Sequence, residues 1–368
     1  MLNKDNQGKV MTVLGPIEPN QVGNTTTHDH VLINFQAILT EPLNPKEKKY
    51  MDEKINLENI GWVRFNWSSS KDNLTYEDKE IAIEELGHYK KSGGQTIVDV
   101  TNIGLGRDPE KLKNISQATG VNIVMGSGFY VELAQKKGYT NDGIESMFEV
   151  IMDDIKFGAD KTDIKSGIIG EIGCSWPWTE NEKISMEASV MAHKETGLPL
   201  LIHPGRNQLA PLEIINYIEN LGADLSNVVM GHVDRTIFDY DILKDTADTG
   251  VYINLDLWGH DSPFYPLAPE TYMPGDHQRL DMIEFLIEEG FENRILLAQD
   301  ICTKHRLKQF GGHGFDHLLT RIVPWMKSRK IDQKNIDKMM VQNPQKCLQL
   351  SNDKKNIINS FYFFQLLK

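Results

Sequence analysis

The chain has 368 residues, of which 40% are hydrophobic and 25% charged, a composition typical of a soluble globular protein with a sizeable core. Acidic residues outnumber basic ones by 52 to 39, and the net charge of −13 argues against binding to nucleic acid or to an anionic membrane. No apolar run approaches the ~20 residues needed to span a bilayer, and the first ten residues lack the apolar segment of a secretory signal. The three cysteines, Cys174, Cys302 and Cys347, have neither disulfide-framework nor zinc-ribbon spacing, so we expect a protein of the reducing cytosol.

Short β-rich runs alternate with longer amphipathic stretches along the chain. Most of the runs are continuously apolar, as expected for parallel strands buried on both faces. Helical patterns lie between them, for example at 76–94 and 184–197, and both end in glycine. The predicted strands are the run ending at 27–30, then 95–102, 121–130, 166–173, 198–205, 227–234, 251–259 and 294–300. Eight such units without a composition break predict an α/β protein with a (β/α)₈ TIM barrel, and a doubly wound open sheet is the alternative.

Two segments interrupt this rhythm. Residues 31–75 follow the first strand and contain the stretch "GWVRFNWSSSKDN", and residues 259–278 follow the seventh strand and are rich in proline and aromatic residues. Segments this long inside a compact domain are usually functional covers or locally folded insertions. We therefore expect at least one of the two to cover an active site.

The stretch "THDH" places two histidines, His28 and His30, at the end of the first predicted strand. Side chains at i and i+2 of a strand point to the same face, so the two imidazoles can be aimed at one point. An H-x-H pair is weak evidence for a metal site by itself. Whether this pair binds a metal therefore depends on which residues lie at the ends of the other strands.

Titratable side chains close five of the eight predicted strands. Each follows a buried apolar run, where an ionisable group is costly unless it is paired or binds a metal. The carboxyl ends of barrel strands meet at the face that carries active sites. Imidazoles and carboxylates suit zinc first, with manganese, cobalt or iron as alternatives, and six of them suit two divalent cations about 3.5–4 Å apart. The predicted metal ligands are His28, His30, Glu171, His203, His232 and Asp300.

This pattern of ligands resembles the amidohydrolase superfamily and, within it, the phosphotriesterase-like branch. Longer stretches are similar to the phosphotriesterase-related proteins of animals: "GKVMTVLGPIEP", "GIIGEIGCSWPWTE", "IHPGRN", "GHVDRTI" and "GGHGFDHLLT". The resemblance runs from about residue 8 to about residue 350, and we expect residues 1–350 to form a single hydrolase domain. The tail at 351–368 falls outside it, and its role is open.

The resemblance implies hydrolysis of an N-acyl taurine, above all N-acetyltaurine, to taurine and acetate. In this reading Asp300 both binds metal and moves the proton. Metal-dependent lactonase or phosphotriesterase activity is the alternative within the same class, and a non-catalytic metal-binding scaffold is the alternative outside it. One departure matters: bacterial organophosphate hydrolases bridge their metals with a carboxylated lysine on strand four, whereas this chain has Glu171 there. A glutamate needs no carbon dioxide, and its presence makes organophosphate hydrolysis a poorer expectation.

Four further residues are candidates for substrate binding. Arg206 and Arg235 directly follow the fifth and sixth strands, and a guanidinium suits bidentate contact with a sulfonate, carboxylate or phosphate. A structural salt bridge is the alternative role for each arginine. Tyr130 and Trp258, after strands three and seven, are candidates for the pocket wall. The expected partner is a small anionic amide, and a homodimer is kept as an open alternative.

Overall fold

Eight parallel strands form one sheet whose order in space follows their order along the chain. They belong to a computed structural model that describes residues 7–135, 143–260, 262 and 264–350. Their interiors are buried, as the continuous apolar runs predict. The strands are β1 (Thr25–Asp29), β2 (Thr96–Asp99), β3 (Asn122–Ser127), β4 (Ile168–Gly173), β5 (Leu200–His203), β6 (Val228–Met230), β7 (Tyr252–Leu255) and β8 (Ile295–Leu297).

Hydrogen bonds join the first and last strands of this sheet. The Thr27 hydroxyl donates to the carbonyl of Leu297 at 3.2 Å, and the backbone N–H of Asp300 donates to the carbonyl of His28 at 3.0 Å. An open sheet would leave these two edges apart. The prediction of a (β/α)₈ barrel is therefore confirmed, and the doubly wound alternative is excluded.

Helices cover the outside of the barrel, and their ends follow local capping chemistry. The helix predicted at 184–197 begins earlier, at Glu180, because Thr179 and Glu182 form a capping box. The Thr179 side chain accepts from the backbone N–H of Glu182, and the Glu182 side chain accepts from the backbone N–H of Thr179. It ends at Gly197, whose φ of 72° is left-handed. The α-helices are Ile60–Phe65, Lys79–Lys91, Pro109–Thr119, Gly143–Lys156, Glu180–Thr196, Ala210–Asn220, Val233–Thr236, Tyr240–Asp248, Asp276–Glu288, Val323–Ser328, Gln333–Asp337 and Asn343–Leu348, with π-helical turns at Leu318–Ile322 and Lys338–Gln342. No helix in the described ranges is long and apolar enough to cross a membrane.

A short hairpin of Val10–Thr12 and Gly15–Ile17 lies at the amino-terminal end of the barrel. The backbone N–H of Val13 donates to the carbonyl of Ile123, near the start of β3. The hairpin therefore lies against the end of the barrel opposite the predicted metal ligands. The tail at 351–368 lies outside the described residues.

The segment after β1 is locally folded and is tied to the segment after β8. It contains the strand pair Ile33–Asn34 and Thr75–Tyr76 and the helix Ile60–Phe65. The carbonyl of Asn73 accepts from the backbone N–H of Lys304 at 2.8 Å, and the Asn73 side chain accepts from the backbone of the next residue. These bonds hold the segment over the carboxyl end of the barrel.

Candidate metal centre

The six predicted ligands come together at the carboxyl ends of the strands. Three lie within strands β1, β4 and β5, and three lie just after β1, β6 and β8. All are buried, and Asp300 is the most exposed at 9%. His232 and Asp300 have left-handed backbones, with φ of 52° and 45°. Such values are unfavourable for residues other than glycine and cluster at functional sites, where the surrounding structure imposes them.

The donor atoms of these residues form three overlapping groups, each within 4.8 Å. One group is His28, His30 and Glu171, the second is Glu171, His203 and His232, and the third is His28, His232 and Asp300. The groups share members because the side chains converge from several sides. The arrangement has the donors for more than one cation.

Glu171 lies at the centre of the cluster, and its two oxygens face different imidazoles. Its Oε1 lies 3.3 Å from Nε2 of His30. Its Oε2 lies 2.8 Å from Nδ1 of His203 and 3.5 Å from Nε2 of His28. This geometry suits a carboxylate that bridges two cations, the role expected for it from the sequence.

Asp256 is a buried residue of the cluster that sequence reasoning missed. It directly follows β7 and is 0% exposed. Its Oδ2 lies 2.9 Å from Nδ1 of His28, and its Oδ1 lies 2.8 Å from Nδ1 of His232. The carboxylate forms a hydrogen bond with Nδ1 of His232 and lies within ion-pair distance of Nδ1 of His28, which leaves the Nε2 of each ring for the cluster. The signal was a single carboxylate in the apolar run "VYINLDLWG", the criterion already applied to the other strands.

Thr101 orients the His30 ring in the same way. The Thr101 hydroxyl donates to the carbonyl of Leu32 at 2.9 Å, and it lies 2.9 Å from Nδ1 of His30. Since its proton points to Leu32, the hydroxyl accepts from the Nδ1–H of His30. The lone pair of His30 Nε2 is then available to a metal.

The charges in the cluster favour bound cations. Burial raises the pKa of Glu171, but the rings of His28, His203 and His232 outweigh it and hold that pKa well below its ordinary value. Burial and the neighbouring His232 ring lower the pKa of His203 well below its usual range. The neighbouring carboxylates instead raise the pKa of His28, His30 and His232, so these rings hold protons that a bound cation would displace.

His28 provides a more direct test of fit. Burial lowers its pKa, but the carboxylates of Asp256 and Glu171 outweigh burial and raise that pKa well above the ordinary value. Its Nε2 is buried and has no hydrogen-bond partner among the described residues, although Glu171 Oε2 and Asp300 Oδ1 lie 3.5 and 3.8 Å away. The raised pKa means that the two carboxylates favour positive charge at this ring, which a proton supplies in the metal-free protein and a bound cation would supply in its place. The residues therefore fit a divalent metal.

A pocket opens beside the cluster, and both long segments contribute to its wall. Phe35 and Trp67 come from the segment after β1, and His260 and Tyr265 come from the segment after β7. Of the predicted substrate contacts, Tyr130, Arg206 and Arg235 also line it. The Tyr130 hydroxyl lies 3.3 Å from Nδ1 of His203.

The two arginines differ in how their side chains are held. Arg235 donates to the Thr236 hydroxyl at 3.0 Å and to the carbonyl of Pro204 at 3.2 Å. Arg206 donates only its Nε, to the Tyr265 hydroxyl at 2.6 Å, and its terminal nitrogens make no hydrogen bond within the described part of the chain. Arg206 is therefore better placed to receive a new anion.

Trp258 is placed differently from the sequence expectation. Its side chain is fully buried in the main hydrophobic core and is not among those that line the pocket. Its carbonyl accepts from Arg306, which also donates to the carbonyl of Asp300 at 2.7 Å. The loop after β7 turns this indole toward the core, so we do not retain it as a substrate contact.

This chain is similar to known proteins over most of its length. Residues 8–348 match the phosphotriesterase family. The N-acetyltaurine hydrolase of Mus musculus is 43% identical over 342 residues, which cover 93% of this chain and 98% of the mouse protein. That of Homo sapiens is 42% identical with the same coverage. A crystal structure of a resiniferatoxin-binding protein from Rhodobacter sphaeroides is 30% identical, with a TM-score of 0.90 over 93% of this chain and 95% of that one.

Proposed function

This chain belongs to the phosphotriesterase family, and from that membership we propose that it is a metal-dependent amidohydrolase of N-acyl taurines. The main substrate is N-acetyltaurine, which is hydrolysed to acetate and taurine. The names of relatives that are 42–43% identical over 93% of the chain support this substrate. The observation that carries the proposal is the central position of Glu171 among four imidazoles.

The chain's own residues perform defined parts of this reaction. When bound, two divalent cations lower the pKa of a water molecule and polarise the scissile carbonyl. His28, His30, Glu171, His203, His232 and Asp300 would hold them. Asp256 and Thr101 keep the histidine rings in their tautomers.

Asp300 acts as the proton carrier. It is the most exposed member of the cluster and lines the pocket, and its Oδ1 lies 3.3 Å from Nε2 of His30. Its carboxylate takes the proton of the attacking water and delivers it to the leaving nitrogen. The carbonyl carbon gains the hydroxyl, the C–N bond breaks, and taurine leaves as the amine.

Arg206 receives the sulfonate of the substrate. Its Nε is anchored on Tyr265, and its two terminal nitrogens are left for the anion. Arg235 and Tyr130 line the same pocket closer to His203 and complete the polar wall. A guanidinium in the pocket is needed because the chain as a whole carries a charge of −13 and repels anions.

Lactonase and phosphotriesterase activities would use the same metal cluster, but a neutral lactone or phosphotriester does not require a free guanidinium in the pocket. A non-catalytic scaffold would not require Asp300 to face the pocket. We propose zinc as the metal because its preferred ligands are nitrogen and oxygen donors of this kind. We also propose a cytosolic location, which three free cysteines support. A homodimer stays a prediction.

A panel of substrates tests the proposal. Protein reconstituted with zinc or manganese is assayed against N-acetyltaurine, longer N-acyl taurines, N-acetyl amino acids, a lactone and a phosphotriester. We expect the highest kcat/KM for N-acetyltaurine and loss of activity after chelation. A higher kcat/KM for the lactone or the phosphotriester would overturn the substrate assignment.

A further inference from the structure

Four side chains form a continuous wall on one side of the pocket, here called the tail wall: Arg206, Tyr265, Trp67 and His260. The guanidinium carbon of Arg206 lies 5.1 Å from the centroid of the Tyr265 ring. Trp67 stacks on Tyr265 with centroids 6.2 Å apart, and His260 packs edge-on against Trp67 at 6.0 Å. The wall begins at the anion-binding arginine and ends at two residues that the mechanism above does not use.

Both of these residues carry an unpaired nitrogen. Trp67 and His260 are 4% and 7% exposed, and neither Nε1 of Trp67 nor Nε2 of His260 has a hydrogen-bond partner among the described residues. An indole nitrogen can only donate. Burial and the nearby charge of Arg306 lower the pKa of His260 well below its ordinary value, so its ring is neutral and carries one N–H, which is on Nε2 in one of its two tautomers.

Buried polar nitrogens without partners are costly, and native structures rarely keep them. Here two such nitrogens lie on neighbouring rings of one pocket. The Tyr265 ring packs between Trp67 and Arg206, whose terminal nitrogens make no hydrogen bond among the described residues. Such a set is satisfied when a ligand brings several acceptor oxygens at once. The ligand that the proposed function supplies has them.

We propose that Trp67 and His260 act with Arg206 as a specificity subsite that selects a sulfonate over a carboxylate at the tail of the substrate. This rests on the proposed function and deepens it. A guanidinium fork engages two oxygens. A sulfonate has a third, directed out of that plane, which accepts from the indole N–H and from the imidazole in its Nε2–H tautomer. A carboxylate of the same chain length has no third oxygen and leaves these donors unpaired.

Three substrates with the same scissile amide distinguish a loss of sulfonate recognition from a general loss of activity. N-acetyltaurine carries a sulfonate, N-acetyl-β-alanine carries a carboxylate at the same distance, and N-ethylacetamide carries no charge. They are assayed with the wild type, Trp67→Phe and His260→Phe. We expect each variant to raise KM for N-acetyltaurine about tenfold, and to change the kcat/KM of the other two by less than about threefold.

The matched control is Trp178→Phe. The Trp178 indole nitrogen also has no partner among the described residues, but it lines a separate surface hollow. The Trp178→Phe variant should leave kcat/KM unchanged for all three substrates. Because the comparison is made within each variant, partial unfolding lowers all three rates together. Equal losses on all three substrates, or an unchanged sulfonate preference, would overturn the subsite.

Binding measurements distinguish failure of the subsite from failure of the proposed function. Calorimetry measures the binding of ethanesulfonate and of propionate to the metal-loaded wild type and to both variants. If the wild type fails to hydrolyse N-acetyltaurine but prefers ethanesulfonate in a way that depends on Trp67, the function is wrong and the subsite stands. If hydrolysis is present but this preference is absent, the subsite is wrong and the function stands.

Discussion

The Asp256 carboxylate contacts His232 twice: its Oδ1 lies 2.8 Å from the ring Nδ1, and its Oδ2 accepts from the backbone N–H at 2.9 Å. This pairing fixes both the ring and the left-handed backbone of His232. The same carboxylate also reaches Nδ1 of His28. One residue outside the predicted set of ligands thus contacts two residues of the cluster.

Asp256→Asn tests this orienting role. An amide offers one acceptor oxygen, so one of the two Nδ1–H groups would face an NH₂ donor instead. We expect metal affinity to fall about 10- to 100-fold, measured by competition with a chelator. Asp245→Asn, at an exposed helix position, is the control. Unchanged affinity in the Asp256 variant would show that the contacts are incidental.

The metal content of the protein provides the second prediction. After reconstitution with zinc or manganese, elemental analysis should find two ions per chain. The double substitution His28→Ala and His30→Ala should empty at least one position, because each ring contributes a nitrogen to the same group of donors. One ion or none in the wild type would contradict the binuclear interpretation.

Glu171→Lys tests the bridge. Glu171 is 2% exposed, and its Oε2 lies 2.8 Å from Nδ1 of His203. A lysine there would bring a buried positive charge among imidazoles, and its carboxylation would need additional room. We expect loss of metal and activity. Full metal content and activity without added bicarbonate would show that Glu171 is not the bridging ligand.

Arg206→Ala tests recognition of the anion. We expect KM for N-acetyltaurine to rise at least about tenfold, a loss of ~1.4 kcal/mol, with intact metal content and a much smaller effect on N-ethylacetamide. Arg206→Lys should recover only part of the loss, because the lysine ammonium keeps the positive charge but lacks the planar fork of the guanidinium. Arg321→Ala, at an exposed position, is the control. Equal effects on charged and neutral substrates would mean that Arg206 only shapes the site.

A stability prediction concerns the buried ion pair behind the site. The fully buried Arg279 donates Nε to Asp234 at 2.6 Å and Nη1 to Asp276 at 2.9 Å. Arg279→Met leaves the Asp234 carboxylate buried without its cation, and we expect a loss of about 3–5 kcal/mol in the free energy of unfolding. Urea unfolding of the metal-free protein measures it. The double variant with Asp234→Asn should recover part of the loss, and a cost near zero in the single variant would contradict the prediction.

The sequence by itself predicted the barrel and predicted that the six proposed ligands come together at one face. Buried parallel strands must be apolar, so a titratable residue at a strand end stands out in the sequence. Parallel pairing then brings all the carboxyl ends to one face, which is why His28 and Asp300, far apart in the chain, could be assigned to one site. The same criterion applied to "VYINLDLWG" would have added Asp256.

Other features were decided only by the tertiary structure. Arg206 and Arg235 occupy equivalent positions in the sequence, but the terminal nitrogens of Arg235 are bound to Thr236 and Pro204, whereas those of Arg206 make no hydrogen bond among the described residues. Trp67 reaches the pocket through a folded segment that carries no strand-end signal. These outcomes depend on side-chain rotamers and on contacts between segments distant in sequence. Local patterning reports which residues are buried, but it does not report which hydrogen bonds each buried group finds.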